Sequence, residues 1–233
     1  MTKADLKFDW ATHEAAKYAC ENWHYSRSSP ATITKPLKIG VWENGVFIGV
    51  IVYTVGVGAT LHSGYGVDRS EVCELQRVAL KSHASPVSRM IAISLKFLKS
   101  KCPGLRLVVS FADSHQGHHG GIYQAGNWIY TGLSSPGIAY FNKEGRQIHP
   151  RNVGKKTCND KYGVKKYSSS ELRKERRPGK HRYLMPLDDA MRKQIQSLAK
   201  PYPKRVTSAD SGTLGNPAEK GRCDSDRNAF ESS

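Results

Sequence analysis

The fold is decided between Glu71 and Asp113, in the consecutive stretches EVCELQRVAL (71–80), SPVSRMIAISLKFLKSKCPG (85–104) and LRLVVSFAD (105–113). The middle stretch predicts a helix. Ser85-Pro86 places a capping serine before a proline suited to a first helical turn, and Val87, Met90, Ile91, Leu95, Leu98 and Cys102 then recur at helical spacing until Pro103-Gly104 stops them. On either side lie strands. Residues 71–80 mix apolar and polar positions, whereas 105–112 carry the β-branched run of a strand buried on both faces, which delivers Asp113 at its carboxyl end.

Working outward, DWATHEAAKYACENW (9–23) opens with a capping residue and places Ala11, Ala15, Tyr18 and Asn22 on one stripe, so a short amphipathic helix is expected there. Asn44-Gly45 between the apolar runs 38–43 and 46–53 predicts a hairpin. Downstream, Gly117 to Gly126 reads as a short helix or turn and Asn127 to Gly132 as another strand. The order helix, hairpin, strand, helix, strand, short helix, strand defines a mixed α/β domain, in which a ligand cleft is expected at the carboxyl ends of strands. Glu74 or Arg77 arrives there from one strand, and Asp113, Ser114 and His115 from the next.

The chain has 233 residues and a formal charge of +16, which points to a polyanionic partner. The charge is regional: residues 141–205 hold 19 Lys and Arg against 6 Asp and Glu, a net +13. Lys155, Lys156, Lys165, Lys166 and Arg182 lie in this stretch with Tyr162, Tyr167 and Tyr183 interleaved, a pattern suited to nucleic acid. A strand over 182–187 and a helix over 188–199 are expected within it, and disorder beyond Pro203. The expected organisation is an α/β core at 1–140, a basic extension at 141–202 that includes the last core strand, and a tail at 203–233. No apolar run of about 18 residues and no leader stands out, so a cytosolic protein without a membrane span is expected. Five scattered cysteines without a C-x-x-C pair read as reduced thiols.

The segments WHYSR (23–27), EVCELQRVAL (71–80), PVSRMIA (86–92), CPGLRLVVSFAD (102–113), GHHGGIYQAGNWIYTG (117–132) and PGKHRYL (178–184) resemble the Mom family of phage DNA-modification proteins. The resemblance spans about residues 20–187. It implies a GNAT-like acyltransferase fold and an enzyme that converts adenine in phage DNA to N6-carbamoylmethyladenine, shielding the DNA from host restriction. The active-site positions it implies are His24, Tyr25, Arg77, Ser88, Asp113 and Tyr123, the last matching the tyrosine that many GNAT enzymes carry on the short helix after the fifth strand.

One departure bears on the donor. GNAT enzymes that use coenzyme A hold its diphosphate on a glycine-bearing loop entering the long helix, with backbone N–H groups facing the phosphates. Here residues 79–90 contain no glycine. Ser85, Ser88, Arg89 and the helix start are what remains to hold a phosphate, with Ser114 beside Asp113 as a further binding residue. The implied product carries one nitrogen more than an acetyl group supplies, and a glycyl unit supplies it. Glycyl-tRNA is therefore the expected donor co-substrate, acetyl-CoA the alternative, with double-stranded DNA and tRNA as partners.

Asp113 is the expected base, shared with or replaced by His24, and Tyr123 or Tyr25 the expected acid. Plainer readings stand beside these: Asp113 as a cap for the next turn, Tyr123 as core, and Arg77 as an ion-pair partner of Glu74 or Glu71. The resemblance brings iron into consideration, but adjacent His118 and His119 point different ways and no ligand spacing accompanies them, so no metal is assigned. The rivals are a non-catalytic nucleic-acid-binding protein and an acetyl-CoA-dependent N-acetyltransferase.

Overall fold

A computed structural model describes residues 4–27, 36–55, 61–160 and 163–204. The tail expected at 203–233 therefore lies almost wholly outside the described residues. In chain order the elements are β1 (Leu6–Trp10), α1 (His13–Trp23), β2 (Leu37–Glu43), β3 (Val46–Val55), β4 (Val72–Leu80), α2 (Val87–Lys101), β5 (Leu107–Ala112), α3 (Gly121–Gln124) and β6 (Ile129–Leu133). The basic region adds β7 (Gly137–Phe141), β8 (Gln147–Ile148), β9 (Val153–Gly154), β10 (Cys158–Asn159), β11 (Lys165–Ser168), β12 (Arg173–Arg177), β13 (His181–Pro186) and α4 (Asp189–Ile195).

Seven strands form the main sheet in the order β1-β2-β3-β4-β5-β13-β6. Only β4 and β5 run parallel, as a strand–helix–strand crossover through α2 requires. This is the mixed α/β architecture that the sequence leads one to expect. The β2–β3 hairpin turns on Asn44 and Gly45, both at positive φ (51° and 79°), the conformation an Asn-Gly turn exists to supply. On one face, Met90, Ile91, Leu95 and Leu98 of α2 pack on Ile51, Tyr53, Cys73 and Leu75. The other face has two clusters. Ala16, Ala19 and Cys20 of α1 cover Val50, Val52 and Ala79, and Met191 and Ile195 of α4 cover Val72, Leu107, Val109 and Leu184.

Two local expectations change. Leu6, Phe8 and Trp10 alternate with polar residues and form edge strand β1 against β2, so α1 starts only at His13, capped by Thr12, whose hydroxyl accepts the Ala15 N–H at 3.1 Å. The buried stripe of α1 is Ala16, Ala19 and Cys20, one residue on from the expected one, and Tyr18 is 57% exposed. The basic region holds two small three-stranded sheets, β12-β7-β8 and β10-β11-β9, and it contributes β13 to the middle of the main sheet.

Candidate active site

A bulge and a divergence build the cleft. Val52 pairs with Arg77 but Tyr53 with Leu75, so Gln76 is the extra residue in β4. The bulge lets Cys73, Leu75, Val78 and Leu80 all face the α2 side, and it turns Arg77 toward α1. Strands β4 and β5 pair only over Val72–Leu75 and Leu107–Ser110, and beyond that they part. The gap holds a cavity of about 900 Å³. Leu75 and Tyr123 lie at its floor. Val78, Leu80, His83, Val87 and Ile122 line the α2 side, while Trp23, His24, Tyr25, Arg77, Phe111 and Asp113 line the α1 side.

Five of the expected residues, His24, Tyr25, Arg77, Asp113 and Tyr123, thus meet around one cleft although they are spread over nearly a hundred positions of chain. Asp113 caps the 3-10 turn Ser114–Gln116, its Oδ1 accepting the His115 N–H at 3.1 Å, so the plain reading of this residue is also seen. Its Oδ2 lies 3.5 Å from Lys180 Nζ. Tyr25 is half exposed at the mouth, its ring 4.3 Å from that of His24 and 5.3 Å from that of His118, forming an aromatic ledge. Burial of its hydroxyl raises its pKa, with the Asp113 carboxylate adding to the rise.

His24 is buried, and its pKa is lowered to about 4, first by desolvation and then by the charges of Arg77 and His118. Its Nδ1 receives the Ser26 backbone N–H at 3.2 Å. A backbone N–H can only donate, so the neutral ring carries its proton on Nε2. Tyr123 is buried, and desolvation pushes its hydroxyl up to about 12. Ser110 Oγ lies 2.8 Å from that hydroxyl and 2.9 Å from the Leu75 carbonyl oxygen. The Ser110 hydroxyl is the donor to both oxygens, sharing its one proton between them, and the Tyr123 oxygen accepts there.

The other expected residues lie apart from the lining. Ser88 and Arg89 sit in the first turn of α2, where Arg89 reaches Ser85 Oγ at 3.4 Å and the Ala4 carbonyl at 3.5 Å. The Ser114 hydroxyl donates to the Gly179 carbonyl at 2.7 Å, tying the turn after β5 to the strand entering β13. Lys155, Lys156 and Lys165 are exposed, and Lys166 pairs with Asp160 at 3.6 Å. Arg182 donates through Nε to Thr131 at 2.8 Å within the sheet. Among the described residues no three His, Cys, Asp or Glu are grouped to hold a metal ion.

Sequence reasoning passed over Lys180, His83 and Phe111 as site residues and weighed His118 only as a metal ligand, while Glu74, expected there as the alternative to Arg77, has its carboxyl pKa raised by burial, with Arg77 and Lys180 opposing. Lys180 stands in the same PGKHR stretch as Arg182, but only the placement of β13 beside β5 shows that it meets Asp113. Strand β12 also borders this edge. His115 lies 3.9 Å from Glu175, which pairs with Arg173 and Arg177.

Fold and cleft together define a mixed α/β protein with a candidate site in the opening between two parallel strands. The Mom protein family model matches residues 5–204, and the chain belongs to that family. It is 26% identical over 209 residues to "Methylcarbamoylase mom" of Escherichia phage Mu, covering 86% of this chain and 84% of the relative. Among solved structures, YncA of Salmonella typhimurium with its cofactor acetyl-CoA is similar at a TM-score of 0.44 and 12% identity, over 79% of this chain and 95% of that one. A Bacillus subtilis acetyltransferase in complex with CoA is similar at 0.38 and 12%, over 80% and 100%. No helix among the described residues is long and apolar enough to cross a membrane.

Proposed function

We propose that this chain is a phage DNA-modifying acyltransferase that converts adenine to N6-carbamoylmethyladenine, with glycyl-tRNA as donor, and so protects DNA from host restriction. The observation that carries the reading is the convergence of His24, Tyr25, Arg77, Asp113 and Tyr123 on one cleft in a member of the Mom family.

The chemistry balances without a redox step. Adenine N6 attacks the glycyl carbonyl carbon and the ester C–O bond breaks. The ribose oxygen leaves as a hydroxyl with the proton that N6 gives up. The free glycyl amine then attacks C6 through a five-membered ring, and the C6–N6 bond breaks. The original N6 becomes the primary amide, and the former glycyl nitrogen joins CH2 to C6.

Adenine N6 is a weak nucleophile because its lone pair is delocalised, so a base must take its proton as it attacks. Asp113 serves as that base, held at the strand end by the His115 N–H and Lys180. Tyr25, a phenol and so protonated at neutral pH, gives a proton to the leaving ribose oxygen. His24, neutral and protonated on Nε2, acts as a hydrogen-bond donor rather than as a base. Tyr123 shapes the floor, its oxygen accepting from Ser110. The target base leaves the duplex stack and rests on the Tyr25–His118 ledge, while Arg77 orients a phosphate by its fork. Lys165 and its basic neighbours hold DNA and tRNA.

The test is direct: purified chain is incubated with DNA plus glycyl-tRNA or acetyl-CoA, and the nucleosides are read by mass spectrometry. Modified adenine with glycyl-tRNA alone supports the reading, and modification with acetyl-CoA alone overturns it.

A further inference from the structure

The loop before α2 is where a coenzyme A diphosphate is expected in a GNAT-like enzyme, and in this chain another anion fills it. Glu43, the last residue of β2, is only 8% exposed and turns its carboxylate into that loop. Its Oε2 accepts the Ala84 N–H and its Oε1 the Ser85 N–H, both at 2.8 Å. These two N–H groups are consecutive and stand just ahead of the helix that begins at Val87. The hydrogen bonds hold the Glu43 carboxyl below the usual carboxylate range, so it is an anion at neutral pH. The nearest cation in the first turn, Arg89, is turned to Ser85 and the Ala4 carbonyl.

We propose that Glu43 is a built-in occupant of this anion-binding loop, a specificity residue that excludes donors carrying a diphosphate, coenzyme A thioesters among them. A phosphate arriving here meets a buried carboxylate instead of free N–H groups, and like charges brought together in a partly desolvated site repel strongly. The donor class left is an acyl group whose neck bears no diphosphate, such as an ester on a ribose hydroxyl, with any phosphates met by exposed Lys155, Lys156 and Lys165. The inference rests on the reading of the cleft as an acyl-donor site, but its test requires no turnover.

The full-length chain is titrated with coenzyme A, and amide hydrogen exchange is followed at Ala84 and Ser85. The variants are Glu43→Gln, which is isosteric and keeps one acceptor for the loop, and Glu144→Gln, which removes an exposed carboxylate from the turn between β7 and β8. In the wild type coenzyme A is expected to leave exchange at Ala84 and Ser85 unchanged. Glu43→Gln is expected to bind coenzyme A at least about tenfold more tightly and to gain ligand-dependent protection at those amides, with Glu144→Gln behaving as wild type. Coenzyme A protection of Ala84 and Ser85 in the wild type overturns the proposal, a result that holds whether or not the variants fold. No gain in Glu43→Gln, or an equal gain in Glu144→Gln, overturns it as well. Failure of glycyl-tRNA in the modification assay leaves these readings unchanged, so the two proposals fail separately.

Discussion

Burial shifts the proton affinity of His24 down and of Tyr25 and Tyr123 up, and the proposed roles follow that difference. Asp113→Asn keeps the shape of the carboxylate but removes the base, so modification is expected to fall by about 100-fold or more while DNA affinity stays unchanged. A DNA-binding titration beside the nucleoside assay checks this, and modification retained in the variant removes Asp113 as the base. Tyr25→Phe should lower modification by about 100-fold, whereas Tyr123→Phe should stay within about tenfold, because Tyr123 is buried at the floor of the cleft with its oxygen held by Ser110. His24 adds a pH signature. Its folded pKa, about 4, lies below the ordinary 6.5, so between these values the unfolded chain binds the proton and the folded one does not. His24 therefore contributes stability above about pH 6.5 that is lost as pH falls toward 4. Urea denaturation should show a flatter dependence over that window for His24→Phe. His24, Tyr25, Arg77, Asp113 and Tyr123 were legible because they sit in motifs. Glu43 and Lys180 were not, since a carboxylate at a strand end and a lysine after a glycine gain their meaning only from Ser85 and Asp113, more than forty positions away in each case.

At the level of elements, the site depends on how α3 seats against β13. Gly120 enters α3 at φ +84°, and a Cβ there would meet the Tyr183 ring at 2.3 Å. The Tyr183 hydroxyl in turn donates to the His119 carbonyl at 2.6 Å and accepts from Gln124 at 3.1 Å. Gly120→Ala combines left-handed strain with a clash against a buried ring, and it should cost at least about 3 kcal/mol in urea denaturation. Tyr123 would shift with it, so modification should fall in the same variant. The long helix α2 and the strands beside it could be read from periodicity and stop signals because they are complete local patterns. Edge strand β1 was missed because five residues give a weak signal next to a helix start. The stripe of α1 was misplaced by one residue because its core contacts are small, Ala16, Ala19 and Cys20, and carry little hydrophobic contrast. The bulge at Gln76, which opens the cleft, left no trace in local sequence, since it is a property of pairing with β3.

For the molecule as a whole, the net +13 of residues 141–205 is not a bare appendage: the same residues supply β13 to the main sheet and line up β12 beside the turn after β5. Exposed Lys165, whose ammonium lies 5.0 Å from the Tyr167 ring, is expected to contact phosphate. Lys165→Ala should weaken DNA binding and reduce the slope of log K against log salt by about 0.9. Lys166 should contribute less, being already paired with Asp160. The deciding measurement is mass spectrometry of nucleosides after purified chain has met DNA with glycyl-tRNA in which the glycine amine is nitrogen-15. The account predicts modified adenine with the heavy label on the nitrogen bound to C6 and none in the terminal amide. A label in the terminal amide, or modification that requires acetyl-CoA and proceeds without glycyl-tRNA, contradicts it.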